Sequence, residues 1–299
     1  MSNECFIGVD VGGTWIRVAL VDSGLTVLEK AVTPTADILD VADFTDKLAA
    51  LVLTVDPKKM AKKVAVITPT PWKNGMTHFR DATNVPFLEG VEVSLIAEAL
   101  PEYVVIFEND VNVVALIESM TDARRGCESL LYITVSTGIG SGIVINNQIW
   151  QGAFGYAGEV GNMIVSQRDR DLVLVLEDVC SGLALDVAAK SLYGEDATTK
   201  TLFDAYERHD KWALDTMEGW LEIFSDALAS LMHVINPEVI VLGGSVIENN
   251  PWLIEALRHW TRPKLFENLR PHLVIEPSSY GSDSGVLGGA ALCLMYEEF

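Results

Sequence analysis

The sequence predicts an α/β protein made of two halves that share one plan. Each half opens on a β-meander whose first turn is rich in glycine, at Asp10-Val11-Gly12-Gly13-Thr14 and again at Ser136-Thr137-Gly138-Ile139-Gly140-Ser141-Gly142. After each meander, apolar patterns of helical period alternate with short apolar runs of strand length. A polar, charged stretch over 121–128 separates the two copies. Two such halves are expected to face each other across a cleft, the usual place for a ligand.

In the first half, residues 6–10 form an apolar run that ends in an acid, and Gly12-Gly13 makes a tight turn. Ile16, Val18 and Leu20 then recur at every second position, which is the period of a strand. Asp22-Ser23-Gly24 turns the chain into a third strand over 26–32. Phe44, Leu48, Leu51 and Val52 share one face of a helix over 43–53, and a strand follows over 63–67. Pro69, Pro71, Asn74-Gly75 and Pro86 make 68–92 a loop with short strands. A helix over 93–100, a strand over 103–107 and a helix from 113 complete this half, with Glu108-Asn109-Asp110 at the strand's end.

The second half repeats the order. A strand over 130–135, the glycine-rich turn over 136–142, a strand over 143–145, an Asn146-Asn147 turn and a strand over 148–150 make the meander. Helices are expected over 179–192, 217–235, 253–260 and 285–295, with strands over 239–242 and 273–275. Trp220, Phe224, Leu228, Leu231 and Met232 at helical spacing read as a core face. The expected division is a small N-terminal lobe over 1–118 and a large C-terminal lobe over 119–284.

A chain of 299 residues, 49% of them apolar, is long enough for two lobes with a sizeable core. The formal charge of −21 disfavours nucleic acid and acidic membranes as partners. It leaves room for a nucleotide, because a local glycine-rich site with Mg²⁺ overcomes the global field. Apolar runs stay short of a membrane span, and the polar opening residues do not read as a signal peptide. Cys5, Cys127, Cys180 and Cys293 are far apart and form no CxxC pair, so neither a disulfide nor a cysteine zinc site is expected, and a reducing cytoplasm fits.

Five motifs carry chemistry. In the first, Asp10 ends a strand, Gly12 and Gly13 let backbone approach a ligand, and Thr14 follows; such a turn suits phosphate, and Asp10 suits hydrated Mg²⁺. The second, around Thr137 and Gly138, repeats the arrangement and lacks the lysine of a P-loop. Either one alone could be an ordinary hairpin; two at matching places are far more specific. The third is Asn109-Asp110-Val111-Asn112, where an acid could take a proton from an acceptor hydroxyl. The same residues would equally serve as a helix cap. The fourth surrounds Glu159 with glycines over 152–162, offering paired hydrogen bonds to hydroxyls, or simply forming a surface loop. The fifth ends the strand over 239–242 in Gly243-Gly244, where a flat base could lie on bare backbone, or the chain could merely turn.

The segments DVGGTWIRVALVD, ENDVNVVAL, VSTGIGSGIVIN, GYAGEVGN, INPEVIVLGGSV and SGVLGGAAL span the chain in order, and this set resembles the ROK family of sugar kinases and related repressors. The resemblance implies an actin-like, ribonuclease-H-like fold of two lobes, each with a βββαβαβα-type core, and a last helix over 285–299 that packs on the first lobe. It implies ATP, Mg²⁺ and a homodimer. It implies transfer of the γ-phosphoryl group to a hexose, glucose or a related sugar. N-acetylmannosamine or N-acetylglucosamine is the alternative acceptor. Asp110 would be the catalytic base, and Asn84, Asn109, Glu159, Asn162 and Glu177 would contact the sugar. Gly12, Gly13, Thr14, Thr137 and Gly138 would face phosphates, Gly243 and Gly244 would lie near adenosine, and Asp10 would hold Mg²⁺ through water. The repressor branch carries an N-terminal helix-turn-helix, which is expected to be absent here because the first strand begins at Phe6.

Two departures from the family stand out. The family usually shows GEIGH followed by CxCGxxGCxE, a zinc motif. Here Asn162 replaces the histidine, and 165–172 contains no cysteine, so no zinc site is expected. Thr68-Pro69-Thr70-Pro71 replaces the usual GxPG. These losses keep two further readings open: a non-catalytic sugar sensor on the same fold, and a kinase of a non-sugar acceptor.

Overall fold

Alternating apolar residues build the first sheet. Strands β1 (Cys5–Val11), β2 (Trp15–Asp22), β3 (Val27–Pro34), β4 (Lys63–Thr68) and β5 (Val104–Asn109) lie in the order β3-β2-β1-β4-β5. The structure is a computed structural model, and it describes residues 4–167, 173–281 and 283–296. The remaining strands are β6 (Ser129–Val135), β7 (Ile139–Ile145), β8 (Gln148–Ile149), β9 (Ile164–Gln167), β10 (Val173–Val175), β11 (Val239–Gly243) and β12 (Ile275–Pro277). The helices are α1 (Val41–Val55), α2 (Val93–Glu98), α3 (Asp110–Ser119), α4 (Leu176–Cys180) and α5 (Gly182–Tyr193). They continue with α6 (Thr199–Glu207), α7 (Lys211–Val234), α8 (Ser245–Glu248), α9 (Trp252–Thr261) and α10 (Ser284–Met295). The chain forms two compact units: Met1–Arg125 with Gly142–Ala157 and Tyr280–Phe299, and Gly126–Ser141 with Gly158–Ser279.

In the first unit, β1 runs antiparallel to β2 and parallel to β4, which is parallel to β5. The period of two sorts its side chains. Ile7, Val9 and Val11 of β1 join Val64 and Val66 of β4 in one core with Phe44, Leu48 and Val52 of α1. Phe6, Ala65 and Ile67 point the other way, into a core with Val286, Ala290 and Cys293 of α10. Helix α10 comes close because glycines face the approach. A Cβ on Gly8 would stand 2.0 Å from the Val286 carbonyl oxygen, and one on Gly288 would stand 2.6 Å from that of Val113.

The second sheet has the order β12-β11-β6-β7-β8, with β6, β11 and β12 mutually parallel. Counted from the meander outward, this is the order of the first sheet again. The repeat read from the sequence is therefore a repeat of topology. Helix α7 buries Trp220, Phe224, Leu228, Leu231 and Met232, and the Trp220 indole donates to the Cys180 carbonyl at 2.9 Å.

Several elements differ from expectation. The turn after β6 ends at Gly138, and β7 absorbs Gly140, Ser141 and Gly142. Gly142 serves packing there: its Cβ would lie 2.8 Å from the Val111 carbonyl oxygen and 2.8 Å from the Ala115 side chain. The helix expected over 179–192 is broken at Ser181, which caps α5 by accepting from the Ala184 N–H. The loop over 69–92 contains no strand, only a single bridge between His78 and Glu92. Helix α3 begins at Asp110, three residues early, for a reason that bears on the site.

Candidate active site

In the first unit, β1 delivers Asp10 to the mouth of the glycine turn. Asp10 pairs across the hairpin with Arg17, whose Nη1 lies 3.1 Å from Oδ2. Burial pushes the Asp10 carboxyl above its ordinary range, and the Arg17 guanidinium opposes that push. The turn closes through the Gly12 N–H on the Trp15 carbonyl at 2.9 Å, and the Thr35 N–H holds the Thr14 carbonyl at 2.9 Å. Gly13 and Thr14 are exposed. A Cβ on Gly13 would stand 3.1 Å from the Asn84 carbonyl oxygen, which places Asn84 beside this turn.

The start of α3 shows which residue takes the cap. Asn109 is the N-cap: its Oδ1 accepts from the Val111 N–H at 2.9 Å and the Asn112 N–H at 3.1 Å. Its Nδ2 donates to the Thr70 carbonyl at 3.1 Å. Asp110 is thus the first helical residue, and its Oδ1 shares the Val111 N–H, accepting from it at 2.8 Å. A carboxylate in a helix's first turn is favoured by the helix dipole. The capping demand explains the early start of α3, since a cap needs its helix to begin one residue later. Sequence reasoning missed the buried Glu108 beneath this pair and its partner Gln151. The two are 43 residues apart, and no local pattern links them.

The second unit gathers the other candidates. Ser136 closes the glycine turn on the Gly138 carbonyl at 2.9 Å. Glu177 packs against it: Oε2 accepts from the Ile139 N–H at 2.6 Å, and a Cβ on Gly138 would lie 2.4 Å from that oxygen. Gly161 borders the same carboxylate, so Glu177, Gly138 and Gly161 form one cluster. Glu159 and Asn162 are exposed, and the Asn162 amide reaches Glu159 at 3.5 Å. Gly243 ends β11 and Gly244 follows at φ 86°, a left-handed conformation in which a Cβ would strike the Val135 carbonyl oxygen at 2.5 Å.

Within this unit lies a cavity of about 650 Å³ lined by Thr137, Gly182, Asp186, Thr199, Ser245 and Asn249, among others. The Thr199 hydroxyl bonds Asp186 at 2.7 Å, and the Leu183 N–H bonds the Thr137 carbonyl at 3.2 Å. Asp186 and Thr199 sit in stretches without a motif and were not legible as lining residues. Ser245 and Asn249 follow the Gly243-Gly244 signal. Among the described residues, no group of three or more His, Cys, Asp or Glu side chains is placed to hold a metal ion. Residues 168–172 of the departed zinc motif lie outside the described residues.

The ROK family matches this chain over residues 6–295. The chain belongs to the ROK family. A glucokinase of Thermotoga maritima is 27% identical over 96% of this chain and 96% of its own. An N-acetyl-D-glucosamine kinase of Haemophilus influenzae is 26% identical over 97% of this chain and 99% of its own. The crystal structure of a ROK hexokinase from Thermus thermophilus superposes with a TM-score of 0.84 at 29% identity, covering 96% of this chain and 97% of that one. The two five-stranded sheets and their helices are the actin-like ATPase fold of this ROK chain. None of its helices, among the described residues, is long and apolar enough to cross a membrane.

Proposed function

We propose that this ROK chain is an ATP-dependent carbohydrate kinase that phosphorylates a hydroxyl of glucose or a related hexose. N-acetylhexosamines are the alternative acceptor class, because relatives at similar identity are named for both. The observation that carries the reading is the start of α3, where Asn109 is the N-cap and Asp110 is an acid in the first turn. Asp110 takes the acceptor hydroxyl's proton as the oxygen–phosphorus bond forms and the bond to the β-phosphate oxygen breaks, releasing ADP. Asn84, Asn109, Glu159, Asn162 and Glu177 are the sugar contacts in this reading, carried over from the family resemblance.

The glycine turn of half-buried Gly12 and exposed Gly13 and Thr14 suits phosphate, as does the turn at Thr137 and Gly138. Adenosine fits the cavity that opens beside Thr137 and after Gly243-Gly244. Asp10, at the mouth of its turn, would hold Mg²⁺ through water, and that ion would supply charge neutralisation on the phosphates. Zinc has no part in the proposal. A homodimer and a cytoplasmic setting carry over from the family resemblance as parts of the same reading.

The test is ADP release with MgATP across a panel of hexoses and N-acetylhexosamines, beside Asp110→Asn. We expect one acceptor class to stimulate turnover and the variant to lose about 100-fold or more in kcat, the scale of a general base. Nucleotide binding with no stimulation by any sugar would move the assignment to a sugar sensor or a kinase of another acceptor.

A further inference from the structure

One buried carboxylate ties four stretches of the first unit together. Glu108, 3% exposed, accepts through Oε1 from the Asn109 N–H at 2.8 Å and from Asn112 Nδ2 at 2.9 Å. Through Oε2 it accepts from Gln151 Nε2 at 2.5 Å. Gln151, 8% exposed, accepts in turn from the Asn74 N–H through Oε1 at 3.1 Å. The buried Asn112 Oδ1 has no partner among the described residues, so that amide is oriented through its nitrogen. The donors to Glu108 are all neutral. A buried carboxylate held this way costs more than a buried amide or apolar group would. Its directional value is that it accepts at both ends, which no neutral side chain of its shape does.

We infer that Glu108 is a positioning residue for phosphoryl transfer, fixing the first turn of α3 through Asn109 and Asn112 and the chain entering Gly152 through Gln151. The inference rests on the reading of Asp110 as the base, since Asp110 stands in the turn that Glu108 fixes.

The polarity of the array supplies the test. With its oxygen kept toward Asn109 and Asn112, as their donors require, Glu108→Gln places an amide donor against the Gln151 donor. Turning Gln151 over relieves that clash but sets its amide against the Asn74 N–H. The double variant Glu108→Gln/Gln151→Glu removes both conflicts: the new carboxylate at 151 accepts from the new amide at 108 and from the Asn74 N–H. The measurements are kcat, KM for sugar and for MgATP, melting temperature, and hydrogen exchange of the Val111 and Asn112 N–H groups.

We expect Glu108→Gln to lower kcat about 10- to 100-fold with KM for MgATP unchanged. Exchange at Val111 and Asn112 should rise, while the melting temperature stays within about 3 °C. The double variant should recover both kcat and protection. Wild-type kcat in Glu108→Gln overturns the inference. So does a double variant as slow as the single one, or an activity loss that merely tracks the unfolded fraction. If the wild type shows no sugar-dependent turnover, the kinase reading fails and exchange alone decides. Protection unchanged in Glu108→Gln then overturns the clamp, and protection lost and then recovered upholds it.

Discussion

Burial pushes the Glu108 carboxyl above the ordinary glutamate range, while the bonds from Asn112, the Asn109 N–H and Gln151 pull it partly back. A raised folded-state pKa means that the folded chain binds the proton more tightly than the unfolded one. Glu108 therefore contributes stability that is full below about pH 4.3, the ordinary glutamate value, and is lost as pH rises through the folded value. Glu108→Gln removes this titration. Urea unfolding of both proteins across pH should show the stability of the wild type relative to the variant falling as pH rises; a relative stability that grows with pH would contradict the account. At this scale the sequence was ambiguous in an instructive way. Both Asn109 and Asp110 are good caps by residue type, and only the backbone shows that Asn109 takes the cap. The Glu108–Gln151 pair could not be read at all, because it depends on two segments meeting in the fold.

Among the elements, α10 illustrates how small residues set spacing. The segment SGVLGGAAL has almost no amphipathic pattern, yet its Gly285, Gly288 and Gly289 lie against Asp10, Val113 and Gly8. Gly8→Ala would drive a methyl group into the Val286 backbone, which cannot swing aside as a side chain can. Overpacking of this kind should cost about 3 kcal/mol or more, the upper end of its usual range. Gly219 gives the contrast. It lies inside α7, where an added methyl group would meet nothing within 4 Å, so Gly219→Ala should stabilise by about 0.5–1 kcal/mol through helix propensity alone. Denaturation midpoints of the two variants check both signs; equal effects would mean that glycine spacing does not set the α10 approach. Strands and helices were legible because alternation and helical period are local signals. The role of Gly142 was not, since a glycine required by a neighbouring helix looks the same in sequence as one required by a turn.

For the whole molecule, the repeat of glycine hairpins read from the sequence reappears as two sheets with the same strand order, 3-2-1-4-5 in the first and 8-7-6-11-12 in the second. That repetition was legible because each copy carries its own turn chemistry. The lining of the cavity in the second unit was legible only where it follows Gly243-Gly244; Asp186 and Thr199 reach it from helices that carry no motif. On the proposed function, the net charge of −21 would place the burden of holding a triphosphate on local backbone donors and a cation rather than on the global field. The central claim is phosphoryl transfer to a sugar, so following the γ-phosphoryl group itself is the most direct test. ATP labelled at the γ-phosphorus would be incubated with Mg²⁺ and the best acceptor, and the products resolved. The account predicts one labelled sugar phosphate for each ADP formed. Label released as inorganic phosphate, or retained in ATP with every sugar, would contradict it.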